Sequence, residues 1–330
     1  MSHPVIDIHN HVIPEEILEM AATKSELGVR IESDDGTRRV VHKEGYSYPL
    51  HRSFISMDAK IHQLQALQVD RAVVSVAPPF FLYHLESKTS KTVCREINRG
   101  ISRMVRESKG LLYGMATLPM QDPEAIVGEL NYAIDTLQLV GAEIGPPVQN
   151  IHLDDPSYIP FFKYAAELNI PILIHPYYTG AKPGMADYYL TNVIGNPLDT
   201  TICLTRLAYS GFFQKVGRLK LIAAHGGGYV PYQIGRADHA CAVRSECRES
   251  GSSPSQSLRE VYYDTVLFSS GSLQLLVEWA SPGHVVLGSD APFDMGDENP
   301  CQVVRKARLS SPVKAQILGM NAVELFSLPL

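Results

Sequence analysis

Eight short apolar runs constrain the fold of this 330-residue chain more than any other feature of its sequence. Each run is almost continuously apolar and ends close to Gly, Pro, His or Asp, as expected for strands buried on both faces of a parallel sheet. The runs are Val5–Ile8, Ala72–Val76, Leu111–Leu118, Leu139–Ile144, Pro171–Ile174, Leu219–Ala224, Val261–Leu267 and Val285–Leu287. The sequence therefore predicts eight parallel strands.

Helical patterns fill most of the intervals between these runs. Ser56–Gln68 begins with a capping serine, and Pro123–Leu137 and Tyr158–Leu168 also show helical patterns. In the first helix the apolar positions on one face are Met57, Ile61, Leu64 and Leu67. Eight strands that alternate with helices indicate either a closed barrel or a doubly wound sheet. The strand count and the placement of polar residues favour an α/β fold, a (β/α)8 TIM-type barrel, formed by residues 1–330 as a single domain.

Two intervals are much longer than the others. They follow the first and the fifth runs and comprise Val12–Ile55 and Pro176–Thr200. Both begin at the carboxyl end of a strand, where barrel proteins build their active sites. We therefore expect long loops after strands 1 and 5 that act as lids or contact a substrate.

Composition and charge exclude several classes of partner. The chain has 29 Lys and Arg residues against 35 Asp and Glu residues, so a broad surface for nucleic acid or an anionic membrane is not expected. No apolar stretch reaches the ~18 residues of a membrane span, and Asp7, His9 and His11 interrupt the only apolar run near the start. Five scattered cysteines contain no C-x-x-C pair, which argues against a disulfide framework and a thiolate zinc site. The sequence predicts a cytoplasmic protein that binds neither membrane nor nucleic acid.

Side chains of the kind that bind metal ions follow four of the apolar runs. His9 and His11 lie two residues apart at the end of the first run, so they share one face of the strand. His175 follows the fifth run, His225 the sixth and Asp290 the eighth. The carboxyl ends of barrel strands meet at one rim, where several imidazoles and a carboxylate would form a site suited to Zn²⁺ or a similar divalent ion.

Each of these residues also has a purely structural interpretation. A His-x-His pair arises often by chance, and His225 before three glycines could cap a strand. Asp290 could form an Asx turn before Pro292. Their joint occurrence at four strand ends favours the metal site. The remaining histidines show no such placement and are assigned to the surface or the core: His3, His42, His51, His62, His84, His152, His239 and His284.

Five segments together resemble the amidohydrolase superfamily, and within it the branch of aminocarboxymuconate-semialdehyde decarboxylase and related non-oxidative aromatic acid decarboxylases. The segments are Asp7–His11, His175–Pro176, Asn196–Thr201, His225–Gly228 and Gly288–Phe293. The resemblance extends over nearly the whole chain. It implies a (β/α)8 barrel with one divalent metal, usually zinc, although Mn²⁺ or another ion is compatible.

The resemblance also implies roles for individual residues. The family's metal ligands match His9, His11, His175 and Asp290, and its catalytic histidine matches His225. An arginine that the family contributes across a homodimer to hold a substrate carboxylate matches Arg236. From the residues alone, an ion pair of Arg236 with Asp238 on a helix surface is an equally good interpretation.

This chain departs from the family pattern at two places. The decarboxylase has Trp after the His-Pro dipeptide, where this chain has Tyr177 and Tyr178. Its other carboxylate-binding arginine aligns near Pro49–Leu50, with His51 and Arg52 adjacent but not clearly equivalent. These departures bear on the identity of the substrate more than on the reaction scaffold.

Further residues are candidates for the substrate pocket and for a contact with the metal. Tyr177 and Phe293, each close in sequence to a predicted ligand, are favoured as pocket walls over Tyr46, Tyr48 and Tyr178. The fourth run contains Glu143, where some relatives have a second-metal ligand. We interpret Glu143 instead as a group that supports the ligands.

The leading functional hypothesis is zinc-dependent, O2-independent decarboxylation of a small carboxylated aromatic or muconate-type substrate. His225 would carry a proton in this reaction, since a histidine titrates near neutral pH. A mononuclear amide or lactone hydrolase, in which Asp290 handles the proton, or a hydratase, remains an alternative on the same scaffold. A third hypothesis is a metal-binding barrel that acts only as a partner or sensor. No G-x-S-x-G or nucleotide-binding glycine motif follows a strand, which argues against a lipase-type or nucleotide-binding site.

Overall fold

Parallel strands form the centre of the computed structural model, which describes residues 3–34, 36–180, 182–247 and 251–329. The strands are β1 (Ile6–Val12), β2 (Val29–Asp34), β3 (Thr37–His42), β4 (Ser47–Pro49), β5 (Arg71–Val76), β6 (Leu112–Ala116), β7 (Gly141–Ile144), β8 (Ile172–Ile174), β9 (Leu221–Ala223), β10 (Tyr262–Asp264) and β11 (Val285–Val286). All eight predicted strands are present, with ends that differ by up to four residues from those predicted.

Eight of these strands form one sheet in the order β1-β5-β6-β7-β8-β9-β10-β11, and every neighbouring pair is parallel. Backbone contacts then join the last strand to the first. The Ile8 amide donates to the Leu287 carbonyl at 2.9 Å, and Asn10 forms a parallel bridge with Ala291. The prediction of a (β/α)8 TIM-type barrel is thereby confirmed, while the assignment of residues 1–330 to one domain stays a prediction.

Helices surround the barrel. They are α1 (Glu15–Thr23), α2 (Arg52–Ile55), α3 (Met57–Leu67), α4 (Ser87–Glu107), α5 (Pro123–Asn131), α6 (Ile159–Glu167), α7 (Asn196–Tyr209), α8 (Phe212–Val216), α9 (Val230–Val243), α10 (Pro254–Leu258), α11 (Ser270–Ala280), α12 (Pro300–Lys306), α13 (Ser311–Ala315) and α14 (Asn321–Phe326). Ser56 caps α3 as expected, because its hydroxyl accepts the Ala59 amide at 3.5 Å. Within the described residues, no helix combines the length and apolar character needed to cross a membrane.

A β-bulge in β1 determines which side chains face the barrel interior. Asp7 pairs with Ala72 and Asn10 pairs with Val74, so β1 contains one residue more than β5 over this stretch. Within this stretch, Ile8 packs in the apolar cluster that fills the barrel. The extra residue lets His9 face the interior although it follows Ile8 directly. Side chains of α14, including Phe326, belong to the same cluster and close the amino-terminal end, which leaves the carboxyl rim as the entrance.

The long interval after β1 is more regular than the predicted loop. It contains α1 and an antiparallel sheet of β2, β3 and β4, in which Val29 pairs with His42 and Val40 with Tyr48. Alternating apolar and polar residues in β2, such as Val-Arg-Ile-Glu, explain this structure. Most of the interval after β8 is irregular up to the start of α7, and residue 181 within it lies outside the described residues.

Candidate metal centre

Four buried side chains converge at the carboxyl rim of the barrel. His9 and His11 are fully buried in β1, and His175 directly follows β8. Asp290 follows β11 on the far side of the barrel closure, with a backbone φ of 58° that turns the chain sharply after the strand. The structure thus brings the four predicted ligands together from three strand ends.

The three imidazoles point one nitrogen each at a single carboxylate oxygen. From Oδ1 of Asp290, the Nε2 atom of His11 lies 3.1 Å away, that of His9 3.4 Å and that of His175 3.8 Å. One ligand atom from each of the four residues lies within 4.8 Å of all the others. Atoms that each bind one ion at about 2 Å must lie this close together. The distances therefore fit a common central ion.

Contacts on the other side of two rings fix their tautomers. Nδ1 of His9 donates to Oδ2 of Asp264 at 2.5 Å, and Nδ1 of His175 donates to the Pro176 carbonyl at 2.6 Å. Because both acceptors lack hydrogens, each Nδ1 must carry a proton, and each Nε2 then faces the centre. Nε2 of His9 and of His175 has no hydrogen-bond partner among the described residues. Two buried imidazole nitrogens without a hydrogen-bond partner, next to a carboxylate, are suitable ligands for a divalent ion.

The charge states of the ligands also fit an ion. Burial lowers the pKa of His11 to about 4 and that of His175 to about 3, so both rings are neutral near pH 7. Burial alone would raise the pKa of Asp290, but the surrounding imidazoles, that of His9 first, hold it well below its usual value. Neutral imidazoles and an ionised carboxylate are the forms that bind metal. His9 differs from the other two rings: burial lowers its pKa, but Asp290 and Asp264 raise it well above the usual value, so His9 must release a proton when an ion binds.

Asp264 is a functional residue that the sequence reasoning missed. It ends β10, and its carboxylate accepts the backbone amides of His225 at 3.0 Å, Gly226 at 2.8 Å and Val266 at 3.1 Å in addition to the His9 ring. Burial raises its pKa, but the hydrogen bond and the charge of His9 bring the net pKa below the usual value. The sequence does contain a signal for this residue. Asp264 lies inside the apolar run Val261–Leu267, and a buried carboxylate needs hydrogen-bond donors around it.

His225 adjoins the four ligands without belonging to their set. Its Nε2 lies 3.3 Å from Oδ2 of Asp290, and its ring centroid lies 5.0 Å from that of His175. The following glycines make the sharp turn possible. A Cβ atom on Gly228 would lie 2.1 Å from the Pro197 carbonyl oxygen, and one on Gly226 would lie 2.4 Å from Cδ2 of Leu267. The glycine run therefore lets the chain fold tightly while it presents His225 to Asp290.

A cavity of about 320 Å³ opens from the ligands to the rim. Its walls are mostly aromatic and polar: Tyr46, Tyr177, Tyr178, Tyr189, Asn192, Asn196, Phe293 and Asp294. Tyr177 donates its hydroxyl to the Pro147 carbonyl at 2.6 Å, and the Phe293 ring packs against that of His11 at 5.3 Å between centroids. Tyr177 and Phe293 thus line the cavity, as predicted, and so do the less favoured Tyr46 and Tyr178.

No Lys or Arg is among the described residues that line this cavity. His51 and Arg52 instead line an open groove on the outer side of the loop after β11. Arg236 lies on the exposed face of α9, beside a separate groove lined by Tyr209 and Leu258. Within one chain, therefore, none of the arginines considered from the sequence reaches the cavity.

Glu143 lies below His11 and outside the ligand set. Its carboxylate is fully buried in β7, 3.9 Å from Nδ1 of His11. Burial raises the pKa of Glu143 to about 8, so the group is mostly protonated at pH 7 and is a weak ligand. The supporting role inferred for Glu143 stays a prediction, because neither of its carboxylate oxygens has a hydrogen-bond partner among the described residues.

Comparison with known proteins gives consistent matches over almost the full length. The amidohydrolase family model matches residues 6–328. The 2-amino-3-carboxymuconate-6-semialdehyde decarboxylase of Dictyostelium discoideum is 29% identical over 328 residues, which cover 98% of this chain and 91% of that protein.

Solved structures share the fold. The Metarhizium anisopliae IDCase in apo form has a TM-score of 0.86 at 24% identity and covers 98% of this chain and 97% of its own. A dihydroxybenzoic acid decarboxylase from Polaromonas sp. JS666, with bound manganese and the inhibitor 2-nitroresorcinol, has a TM-score of 0.80 at 21% identity. That match covers 99% of this chain and 98% of the other.

Proposed function

The chain belongs to the amidohydrolase family, and from this premise we propose that it is a metal-dependent carboxy-lyase. The proposed reaction is O2-independent decarboxylation of a small carboxylated aromatic or muconate-type substrate, with Zn²⁺ as the metal. The observation that carries the proposal is the convergence of three imidazole nitrogens on one Asp290 oxygen at the floor of an aromatic cavity. Similarity over 98% of the chain to a protein named as a decarboxylase supports the choice of reaction.

The residues that would hold the ion are His9, His11, His175 and Asp290, which together supply three imidazole nitrogens and one carboxylate oxygen. When bound, a divalent ion supplies positive charge that orients a substrate oxygen and stabilises the negative charge left as CO2 departs. Nitrogen-rich sites of this kind suit zinc. Manganese is the alternative, because the Polaromonas structure contains it.

Decarboxylation breaks one carbon–carbon bond, leaves the electron pair on the ring carbon and requires a proton at that carbon. His225 is the proposed proton carrier, because its Nε2 lies 3.3 Å from Asp290 at the edge of the ligand cluster. The Asp290 carboxylate would accept a hydrogen bond from that ring and hold it toward the reacting carbon. Tyr177 and Phe293 would pack against the substrate ring and exclude water.

A second copy of the chain would supply the cation that the cavity lacks. Val230 is the only buried residue that the structure describes in α9, whereas Tyr232 is 78% exposed and Val243 57% exposed. An exposed helix with large apolar side chains is typical of a surface that pairs with another subunit. A homodimer in which Arg236 reaches the partner's cavity is therefore proposed, with a substrate carboxylate as the group that it binds.

The proposal is tested by anaerobic assays of the zinc-loaded protein. CO2 release is measured with 2-amino-3-carboxymuconate 6-semialdehyde and with a series of hydroxybenzoates, and amide and lactone hydrolysis is measured in parallel. The expected result is metal-dependent CO2 release from at least one acid. Hydrolysis of an amide or lactone with no CO2 from any acid would replace the decarboxylase by a hydrolase.

A further inference from the structure

Lys60 is a lysine buried completely within the protein wall beside the metal centre. It lies in α3, and its relative exposure is 0%. Its Nζ donates to Oδ1 of Asn10 at 2.7 Å, to the His11 carbonyl at 2.9 Å and to Oε1 of Gln63 at 2.9 Å. No carboxylate is among these partners. The amine therefore contacts the segment of β1 that carries two of the proposed ligands.

The hydrogen bonds indicate that the amine is an ammonium ion. An ammonium has three hydrogens and no acceptor, and three acceptors surround Nζ. The amide of Asn10 is oriented independently, because its Nδ2 donates to Oδ2 of Asp7 at 2.9 Å, so that Oδ1 must face Lys60. Burial lowers the pKa of Lys60 to about 7 by removing water from the charged form, and these acceptors replace part of that water.

Asn10 connects the buried cation to a buried anion. Asp7 is also fully buried, and besides Asn10 it accepts the hydroxyl of Ser289 at 2.5 Å and the amides of Ser289 and His9 at 3.1 Å and 3.0 Å. Ser289 directly precedes Asp290. A continuous chain of contacts thus runs from Lys60 through Asn10 and Asp7 to Ser289, and it crosses the closure between β1 and β11.

This chain of contacts touches both parts of the ligand set. On the β1 side it holds the backbone of His9 and His11, and on the β11 side it holds the residue next to Asp290. Neither Lys60 nor Asp7 is in the cavity lining, so neither can meet a substrate. An apolar side chain at this position would leave the Asn10 and His11 oxygens without their donor, whereas the charged pair joined by one amide sets direction and distance.

We propose that Lys60 is a positioning residue for the metal centre, which acts through Asn10 and Asp7 to fix His9, His11 and Asp290 at the spacing that one ion requires. The inference rests on the proposed metal site and is independent of the reaction catalysed. It predicts that loss of the ammonium weakens metal binding and changes the geometry around the ion while the apoprotein stays folded.

The test compares wild type, Lys60→Met and Lys60→Arg with the exposed-lysine control Lys163→Met. The dissociation constant for Zn²⁺ is measured by competition with a chelator, and the visible absorption spectrum is recorded with Co²⁺ in the site. Groups that orient metal ligands are worth about 10- to 100-fold in affinity. Lys60→Met is expected to lose that much and to shift the Co²⁺ bands, Lys60→Arg to recover part of the affinity, and Lys163→Met to match wild type.

A double-mutant cycle separates charge balance from packing. Asp7→Asn and Lys60→Met each leave one buried charge without its counterpart, so the double variant is expected to lose less affinity than the product of the two single losses. Circular dichroism and thermal unfolding of each apoprotein show whether it folds. If Lys60→Met does not fold, the Zn²⁺ affinity and the Co²⁺ spectrum of Lys60→Arg and Asp7→Asn are compared with those of wild type instead.

Three results would overturn the inference. The first is wild-type affinity and an unchanged Co²⁺ spectrum in folded Lys60→Met or, if that variant is unfolded, in Asp7→Asn. The second is losses that multiply fully in the double variant. The third is a wild-type protein that binds neither Zn²⁺ nor Co²⁺. This result would refute the proposed metal site, and with it the role of Lys60, whether or not the protein releases CO2.

Discussion

Replacement of Asp264 by Asn tests how the protein prepares its metal ligands. The Asp264 carboxylate accepts the Nδ1 proton of His9 at 2.5 Å and three backbone amides at 2.8 to 3.1 Å. Asn keeps the shape, but its NH2 group can accept none of these hydrogens. If the Asn NH2 group faces His9, the ring moves its proton to Nε2, and the nitrogen that faces Asp290 no longer offers a lone pair.

Two effects set the magnitude of this change. Loss of the carboxylate that orients a ligand histidine costs about 10- to 100-fold in metal affinity, which corresponds to about 1.4 to 2.7 kcal/mol. If the NH2 group faces the backbone instead, a buried amide loses its acceptor, which costs about 1 to 3 kcal/mol of folding free energy. Asp264→Asn is therefore expected to bind Zn²⁺ at least about tenfold more weakly, or to lose stability, or both.

The assays are chelator competition for Zn²⁺ affinity and urea unfolding of the apoprotein for stability. Asp297→Asn is the matched control, because Asp297 is also buried near the same rim and accepts the Asn299 amide without contacting any of the four proposed ligands. Unchanged affinity and unchanged stability in Asp264→Asn would refute the argument that this carboxylate fixes the tautomer of His9.

Three further predictions follow from single residues. His225→Asn is expected to lower kcat for CO2 release by about 10²- to 10⁴-fold with Zn²⁺ content unchanged, and loss of the metal instead would contradict a role in proton transfer. Arg236→Ala is expected to raise KM for a carboxylated substrate, and mixing it with His225→Asn should restore some activity only if the arginine acts in the partner's site; no recovery on mixing in exchanging dimers would place its action elsewhere. Burial, with a smaller contribution from His84, lowers the pKa of His42 to about 4. As the pH drops, His42 of the unfolded chain is protonated near its ordinary pKa of 6.5, whereas His42 of the folded protein stays neutral until about pH 4. The free energy of unfolding therefore falls as the pH drops from 6.5 toward 4. His42→Phe should remove about 2 kcal/mol of the fall in unfolding free energy between pH 7 and pH 5, measured by urea unfolding, and an identical pH profile would contradict this.

The ligands could be predicted because a parallel barrel brings all its strand ends to one rim. To place His9, His11, His175 and Asp290, only the positions of three strands were needed, and errors of a few residues in strand ends did not matter. The sequence does not reveal the β-bulge that turns His9 inward beside Ile8, because a bulge depends on pairing with β5. The position of the ligands was therefore predictable, whereas the detail that lets both histidines face inward was not.

Residues that support the ligands were harder to identify. Lys60 is spaced four and seven residues before Leu64 and Leu67, on the buried face of α3, and the helical pattern assigned that face to apolar residues alone. Two of its three acceptors come from β1, about 50 residues earlier in the chain, so helical periodicity gave no reason to expect a buried cation. The regular sheet after β1 was likewise missed, since its strands pair only with each other and short polar strands resemble a loop in sequence.

The most direct test of the central claim is anomalous diffraction from crystals of the zinc-loaded protein, recorded on both sides of the zinc absorption edge. One peak per chain is expected, about 2.0 to 2.2 Å from Nε2 of His9, His11 and His175 and from an oxygen of Asp290. No peak at these four residues, or a zinc ion held by other side chains, would contradict the proposed metal centre.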